Sequence, residues 1–327
     1  EVGDRANDRV RIDATDVRAR VVGEGGNLGF TQKARLEYWA HGGLVNTDAV
    51  DNSGGVDMSD HEVNIKILMD TLLKQRAIAS GEERDRIFLD MTEDVAGLVL
   101  ADNASQALAL SLDSARSAER YEDYVELLFD LVAKKIMNRD DDDIPIRKEL
   151  LESANRERGL PRPLLALVLG YVKIRAYSEV LDSEFPDSAV GAPLLHSYFP
   201  EKMRGAFGET FQQHPLRREI VATAAVNDVV NHAGADFLYR VAAESEADIG
   251  AIVSAYIQSS RDANASTVRS EILASSKNAD TMIRELLKFE ADLEQRTRDA
   301  LRTPASSRTR KSKTSKERKA AVAKTEA

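Results

Sequence analysis

From Val63 onward the apolar residues return every three or four positions, the period that lines one face of an α-helix. Val63, Ile67, Leu68, Leu72 and Leu73 open this pattern in a helix that runs to about Arg76. Ser59-Asp60-His61-Glu62 precedes it with the spacing of a capping box, a hydroxyl at the N-cap and a carboxylate three residues on. The same periodicity predicts helices over about 81–101, 103–117, 119–137, 145–157, 161–183, 190–211, 214–232, 234–259 and 266–302. Breakers separate them: the charged turn Arg139 to Pro145, and Gly159-Leu160-Pro161-Arg162-Pro163. No internal repeat of fixed period is present.

The first 58 residues follow a different pattern. They are glycine-rich and hold two short β-like runs, Arg20-Val21-Val22 and Leu44 to Val50. Between the runs, FTQKARLEYWAHGG reads as one helix, with Thr31 as N-cap, Leu36 and Trp39 on one face, and Gly42 and Gly43 as the stop. Strand, glycine turn, helix and strand in that order make a βαβ unit. The expected fold class is therefore α/β followed by a mostly α-helical domain. Residues 303–327 lose all apolar periodicity and carry Lys and Arg among Ser, Thr and Ala, the composition of a disordered basic tail. Such a tail either touches nucleic acid or acidic surfaces or, the commoner case, stays solvated.

Composition narrows the function classes. The chain has 327 residues, 43% of them hydrophobic, enough for one large core or two ordinary ones. It has no cysteine, which removes disulfides and thiolate metal sites and suits a reducing cytoplasm. A net charge of −10 disfavours a whole-chain nucleic-acid binder. No unbroken apolar run approaches the ~20 residues of a membrane span, and no signal peptide is visible. The chain opens on Glu1, mid-pattern, which reads as the downstream part of a longer polypeptide, with a processed or trimmed chain as the plainer alternative.

Two glycine-rich stretches carry the candidate chemistry. GEGGNLG, residues 23–29, lies between a strand-like run and a helix, where backbone N–H groups can face an anion. Its spacing departs from a dinucleotide fingerprint, and a tight turn needing small residues explains it equally well. Asn27 can donate and accept at once, as a ribose hydroxyl or a carboxamide requires. In DNSGGVDMS, residues 51–59, Gly54 and Gly55 permit positive φ and close approach of a ligand, Asn52 ends a strand-like run, and Ser59 opens a helix. An Asx-turn at Asn52 and a plain cap at Ser59 account for the same residues. Asp57, Asp60, His61 and Glu62 are close in sequence, but the adjacent three point different ways, so no metal site is expected from them. Asp140 to Asp143 read as a solvated run capping the next helix. His196, His214 and His232 have no nucleophile nearby in sequence and read as structural, and Arg217 and Arg218 as ion-paired.

VVGEGGNLGFTQKARLEYWAHGGLVNTDAVDNSGGVDMSDHE resembles the second half of the nucleotide-binding domain of glutamate dehydrogenases. Glu24 to Asn27 stands for that family's EGAN. Asn52-Ser53-Gly54-Gly55-Val56, with Ser59 and Glu62, stands for NAGGV-x-x-S-x-x-E without a gap. GDRAND, LPRPLLALVLGYVKIRAY and HPLRREIVAT are similar to stretches in the C-terminal region of the large bacterial NAD-specific members, so the resemblance spans residues 1 to about 260. It implies the C-terminal half of a Rossmann-like domain over 1–80, a helical domain over 81–302, and NAD as cofactor. Gly25, Gly26, Asn27 and Asn52 would contact NAD. Asn52, Val56 and Ser59 would contact L-glutamate or 2-oxoglutarate, with Ser59 on the distal carboxylate. Ser53 and Gly26 depart mildly from the family's alanines, and Leu28 to Thr31 depart from its Pro and Thr pattern. The family's catalytic lysine and aspartate lie upstream of the matched region, so no catalytic residue is assigned here. The upstream part of the same polypeptide and further copies in a homo-oligomer are the implied partners. A non-catalytic helical scaffold and a dehydrogenase of another amino acid are the rival readings. Ser59 speaks against the latter, because an apolar substrate would leave its hydroxyl unpaired.

Overall fold

A computed structural model describes residues 6–26, 29–154 and 156–302. Asn27 and the basic tail 303–327 lie outside the described residues. The helices are α1 (Gln32–Ala40), α2 (Asp48–Asp51), α3 (Ser53–Lys74), α4 (Gly81–Asp90), α5 (Thr92–Glu119), α6 (Tyr121–Ala133), α7 (Arg147–Leu151), α8 (Arg162–Leu181), α9 (Ala192–Tyr198), α10 (Glu201–Phe207), α11 (Arg217–Ala233), α12 (Phe237–Ser245), α13 (Ile249–Asp262), α14 (Ala265–Ser275) and α15 (Ala279–Arg302).

The α/β expectation, with its Rossmann-like half, is overturned. Among the described residues there is no sheet; the two runs read as strands meet in one isolated parallel bridge between Val21 and Leu44. That bridge consists of Val22 N–H donating to Leu44 O and Leu44 N–H donating to Arg20 O, each at 2.9 Å. A pair this short has no neighbouring strand, so it does not grow. Val21 and Leu44 accordingly stay exposed. The second half of the Leu44–Val50 run winds instead into α2, with Thr47 extended just before it. The fold is mostly helical.

Several helix boundaries also move. Thr31 caps α1 as expected, its Oγ accepting from Ala34 N–H at 3.1 Å, and Gly42 at φ +90° stops it. The predicted break near residue 102 is absent. Met91 separates α4 from α5, and α5 runs through Asp102 and Asn103. Pro200 divides the predicted 190–211 helix into α9 and α10, and left-handed Glu246 followed by the Asp248 cap divides 234–259 into α12 and α13.

One hydrophobic core extends from Val50 to Leu293. Its centre is the contact of α8 (Leu165, Val168, Leu169, Val172, Ala176) with α11 (Val221, Ala222, Ala225, Val229), all of them buried. α5 lies along α3, α8 and α11, and α13 packs on α15. A small satellite core of Ala14, Tyr38 and Val45 sits under the N-terminal segment. By length and composition alone α5 is apolar enough to cross a membrane, a test that the core helix of a globular domain also passes. Its second half carries the buried pair Asp113 and Arg116, 2.9 Å apart.

Candidate functional site

The two glycine-rich stretches meet. Glu24 N–H donates to Asp51 Oδ2 at 2.9 Å, so the turn bearing Gly25 and Gly26 lies beside the junction of α2 and α3 bearing Asn52. Charge pairing fixes this junction. Glu24, buried, accepts two hydrogen bonds from Arg35 on α1, 2.6 Å at Nε and 2.8 Å at Nη2, and Arg35 also reaches Asp48 at 3.1 Å. The planar guanidinium matches a carboxylate in this two-point geometry. Phe30 N–H donates to the same Glu24 carboxylate at 3.2 Å and closes the turn from its far side. Gly25 and Gly26 are left exposed, with nothing within 4 Å of where a Cβ would stand.

The stretch from Val50 to Glu62 is helical almost throughout, which corrects two expectations. Ser59 is not an N-cap; it lies inside α3, and its hydroxyl donates to Gly55 O at 3.4 Å. Gly54 and Gly55 are helical rather than at positive φ. The value of Gly55 is space: a Cβ there would stand 2.8 Å from Asn52 Oδ1, so its absence lets the Asn52 amide fold over the helix start. Asn103 on α5 locks this start from below, donating to Val50 O at 3.1 Å and to Ser53 Oγ at 2.8 Å.

Helical winding then groups the expected site residues. Asn52, Val56, Ser59 and Val63 are spaced four, three and four apart, so they share one face of α3. Val56 is 70% exposed and Val63 52%. Ser59 is exposed, and Asn52 is half-buried at the end nearest Glu24. Of the expected site residues, the structure thus aligns Asn52, Val56 and Ser59 and brings the Gly25–Gly26 turn to their upper end.

A second group faces the other way. Asp57 and His61, one helical turn apart on α3, converge with Asp102 of α5, and a ligand atom from each lies within 4.8 Å of the others. The His61 ring stacks on Tyr198 at 4.5 Å between centroids, and the Tyr198 hydroxyl accepts from Asn64 at 2.8 Å and donates to Asp60 at 2.9 Å. Burial pushes the Asp57 carboxyl up to about 7, with Asp102 and Asp60 adding repulsion. Partial burial raises Asp102, one side of which is open to solvent, against the pull of His61 and Lys173, and burial lowers His61. Lys173 of α8, its Nζ buried without a hydrogen bond, falls to about 7 through burial, with the Asp102 charge opposing. Sequence reasoning missed Asp102 and Lys173. The available signal was a lone charge inside an otherwise apolar helical run, ADNASQALAL for one and LVLGYVKI for the other.

The remaining candidates are structural. His214 spends both ring nitrogens on the backbone, at Asn64 O and Leu216 N–H. Arg217 and Arg218 pair with Asp187.

Comparison with known proteins places the chain among glutamate dehydrogenases: residues 157–321 match the family "Glutamate dehydrogenase, C-terminal", and residues 1–113 match "Bacterial NAD-glutamate dehydrogenase, catalytic domain". The match over residues 157–321 covers half of the chain, which therefore belongs to the glutamate dehydrogenase C-terminal family. The NAD-specific glutamate dehydrogenase of Mycobacterium tuberculosis is 44% identical over 242 residues, which are 74% of this chain. The enzymes of the same name from Pseudomonas aeruginosa and Halomonas elongata are 41% and 39% identical over 257 residues, 79% of this chain. The match covers only 15% of the first relative's length and 16% of each of the other two.

Proposed function

We propose that this chain forms one wall of the active cleft of a longer NAD-dependent glutamate dehydrogenase. The reaction takes L-glutamate, NAD⁺ and water to 2-oxoglutarate, ammonium and NADH, with one proton released. The observation that carries the reading is the exposed Asn52–Val56–Ser59 face with the Gly25–Gly26 turn at its upper end. This arrangement fits a flat, polar cofactor beside a short dicarboxylate. The bare glycine backbone lets a ring or phosphate approach, and the space over Gly55 lets the Asn52 amide lie over the helix start beside that turn. NAD, when bound, supplies the hydride acceptor.

In this reading Gly25, Gly26, Asn27 and Asn52 hold the cofactor. Val56 packs on the methylenes of glutamate, Ser59 donates to its distal carboxylate, and Asn52 sits where cofactor and substrate meet. Their contribution is orientation and exclusion of water, which lower the entropic part of the barrier. The groups that move protons belong to the upstream polypeptide. Residues 1–80 would then carry the ligand contacts, and residues 81–302 would brace them through α5 and α8. The exposed Val56, Val63, Leu89 and Leu100 support a covering surface from the rest of the polypeptide, in a homo-oligomeric cytoplasmic enzyme.

The test is NADH formation by the natural-length polypeptide with L-glutamate, leucine or phenylalanine as substrate. Turnover confined to glutamate, with the KM for glutamate raised about ten- to a hundredfold in Ser59→Ala, is the expected result for loss of a hydrogen bond to a charged group. A folded, NAD-binding protein without turnover on any amino acid would move the scaffold reading ahead.

A further inference from the structure

We propose that Asp57, His61 and Asp102 bind one divalent first-row transition-metal ion that ties α3 to α5 behind the ligand-facing side of α3. The site stands apart from the dehydrogenase reading. Asp57 follows Val56 by one residue, about 100° around the helix, so the two faces of α3 are distinct.

The three side chains converge on one point between α3 and α5. His61 Nε2 stands 3.8 Å from Asp57 Oδ1, beyond hydrogen-bond reach. Ligand atoms about 2.0–2.2 Å from a tetrahedral zinc ion lie about 3.3–3.6 Å apart, so atoms all within 4.8 Å of one another close on an ion by side-chain shifts of about an ångström. His61 is 2% exposed, and its Nδ1 is buried without a hydrogen-bond partner among the described residues. Asp57 Oδ2 is buried and equally unpartnered. Buried polar atoms left without partners in a structure this well hydrogen-bonded call for an explanation, and an ion supplies one. The stack on Tyr198 fixes the His61 ring in place, as a preformed site requires.

The donor set narrows the ion. One imidazole and two carboxylates, with no thiolate, suit zinc or manganese better than the all-oxygen coordination of calcium and magnesium. Asp57 and His61 at i and i+4 supply two ligands from one helix, and Asp102 supplies the third from another, so the ion would cross-link two elements. Water would complete its shell from the side where Asp102 is exposed. Lys173 acts on Asp102 from α8 and is the competing cation. Replacing it by methionine should tighten metal binding.

The experiment uses the natural-length polypeptide, stripped with a chelator and then titrated with Zn²⁺. Metal content is read by mass spectrometry, stability by thermal unfolding, and the ligand set by the visible spectrum after Co²⁺ substitution. Wild type should hold one more zinc per chain than Asp102→Asn, whose exposed position leaves folding intact. Zinc should raise the Tm of wild type and not of the variant, and affinity at this site should fall by more than about tenfold, the scale seen when even an outer partner of a ligand is lost. His61→Asn should remove the nitrogen signature from the cobalt spectrum. Equal zinc content in wild type and Asp102→Asn, or a Tm indifferent to zinc in both, would overturn the proposal. Because metal content does not depend on turnover, the site can stand while the dehydrogenase reading fails, or the reverse.

Discussion

Arg162 Nε donates to the side-chain oxygen of Asn46 at 2.5 Å, across 116 residues of sequence. The other two guanidinium nitrogens reach Ser111 Oγ at 3.1 Å and Ala107 O at 3.0 Å on α5. Asn46 in turn donates to Asp51 Oδ1 at 2.6 Å, and Asp51 accepts from Glu24 N–H through its second oxygen. The helical bundle is thus hydrogen-bonded, side chain by side chain, to the backbone immediately before Gly25. The candidate ligand face is held by long-range polar contacts where a sheet would otherwise have held it.

Arg162→Met should therefore cost about 1.5–3 kcal/mol of stability, the scale of a hydrogen bond involving a charged group. It strands the Asn46 oxygen, while Ala107 O keeps the Ser111 hydroxyl as a donor. Urea unfolding should show a lower midpoint, and the KM for NAD should rise as the glycine turn loosens. An unchanged midpoint would mean that water replaces the guanidinium without penalty.

Gly55→Ala separates position from stability. Alanine is favoured over glycine inside a helix by roughly 1 kcal/mol, so the variant should be at least as stable as wild type. Its Cβ would nevertheless push the Asn52 amide from its place, since the two atoms would be 2.8 Å apart. We expect a lower kcat/KM at unchanged or higher Tm. Gly54→Ala, whose Cβ would meet Val99 Cγ1 at 3.4 Å, is the control and should leave the Asn52 amide where it is. Equal kinetics in the two variants would remove Asn52 from the ligand site.

These contacts also show what the sequence disclosed. Local chemistry was legible: the Thr31 cap, the Gly42 stop, and the apolar periods of α3, α8 and α11 depend on neighbours within a turn or two. The family motif was legible too, and helical winding then put Asn52, Val56 and Ser59 on one face. The break expected near residue 102 failed because Asn103, a residue that competes for backbone bonds in isolation, spends its amide on Val50 and Ser53, more than 40 residues away. The strand reading of Leu44 to Val50 failed because β-structure depends on partners, and the described residues supply a single bridge. The lone charges of Asp102 and Lys173 could be seen but not placed, for the same reason: only the tertiary fold brings Asp102 to His61 and Lys173 to Asp102.

Glu24, the first residue of the EGGN motif, belongs to the scaffold of the turn. Breaking a buried pair by removing one partner leaves an uncompensated charge and costs about 3–5 kcal/mol. Arg35→Met should reach that range, because Glu24 would keep its burial and lose both short hydrogen bonds. Replacing both residues with apolar ones of similar size should recover much of the loss. A double variant no better than Arg35→Met alone would assign the cost to packing instead of charge.

The acid limb of stability should depend on Asp228. Burial pushes its carboxyl up, but the His232 hydrogen bond and the charges of His232, Arg269 and Arg261 together outweigh it and hold the group below the usual carboxylate range. His232 Nδ1 lies 2.9 Å from Asp228 Oδ1. A carboxyl depressed in the folded state binds its proton first in the unfolded chain. Its contribution is complete above the unfolded value of about 3.9 and disappears as pH falls through the lower native value. Asp228→Asn should therefore unfold at a lower urea concentration than wild type at neutral pH, and the gap between the two should close as pH drops below about 4. Curves that stay parallel down to the acid transition would show that His232 and Arg269 stabilise the fold without engaging the Asp228 charge.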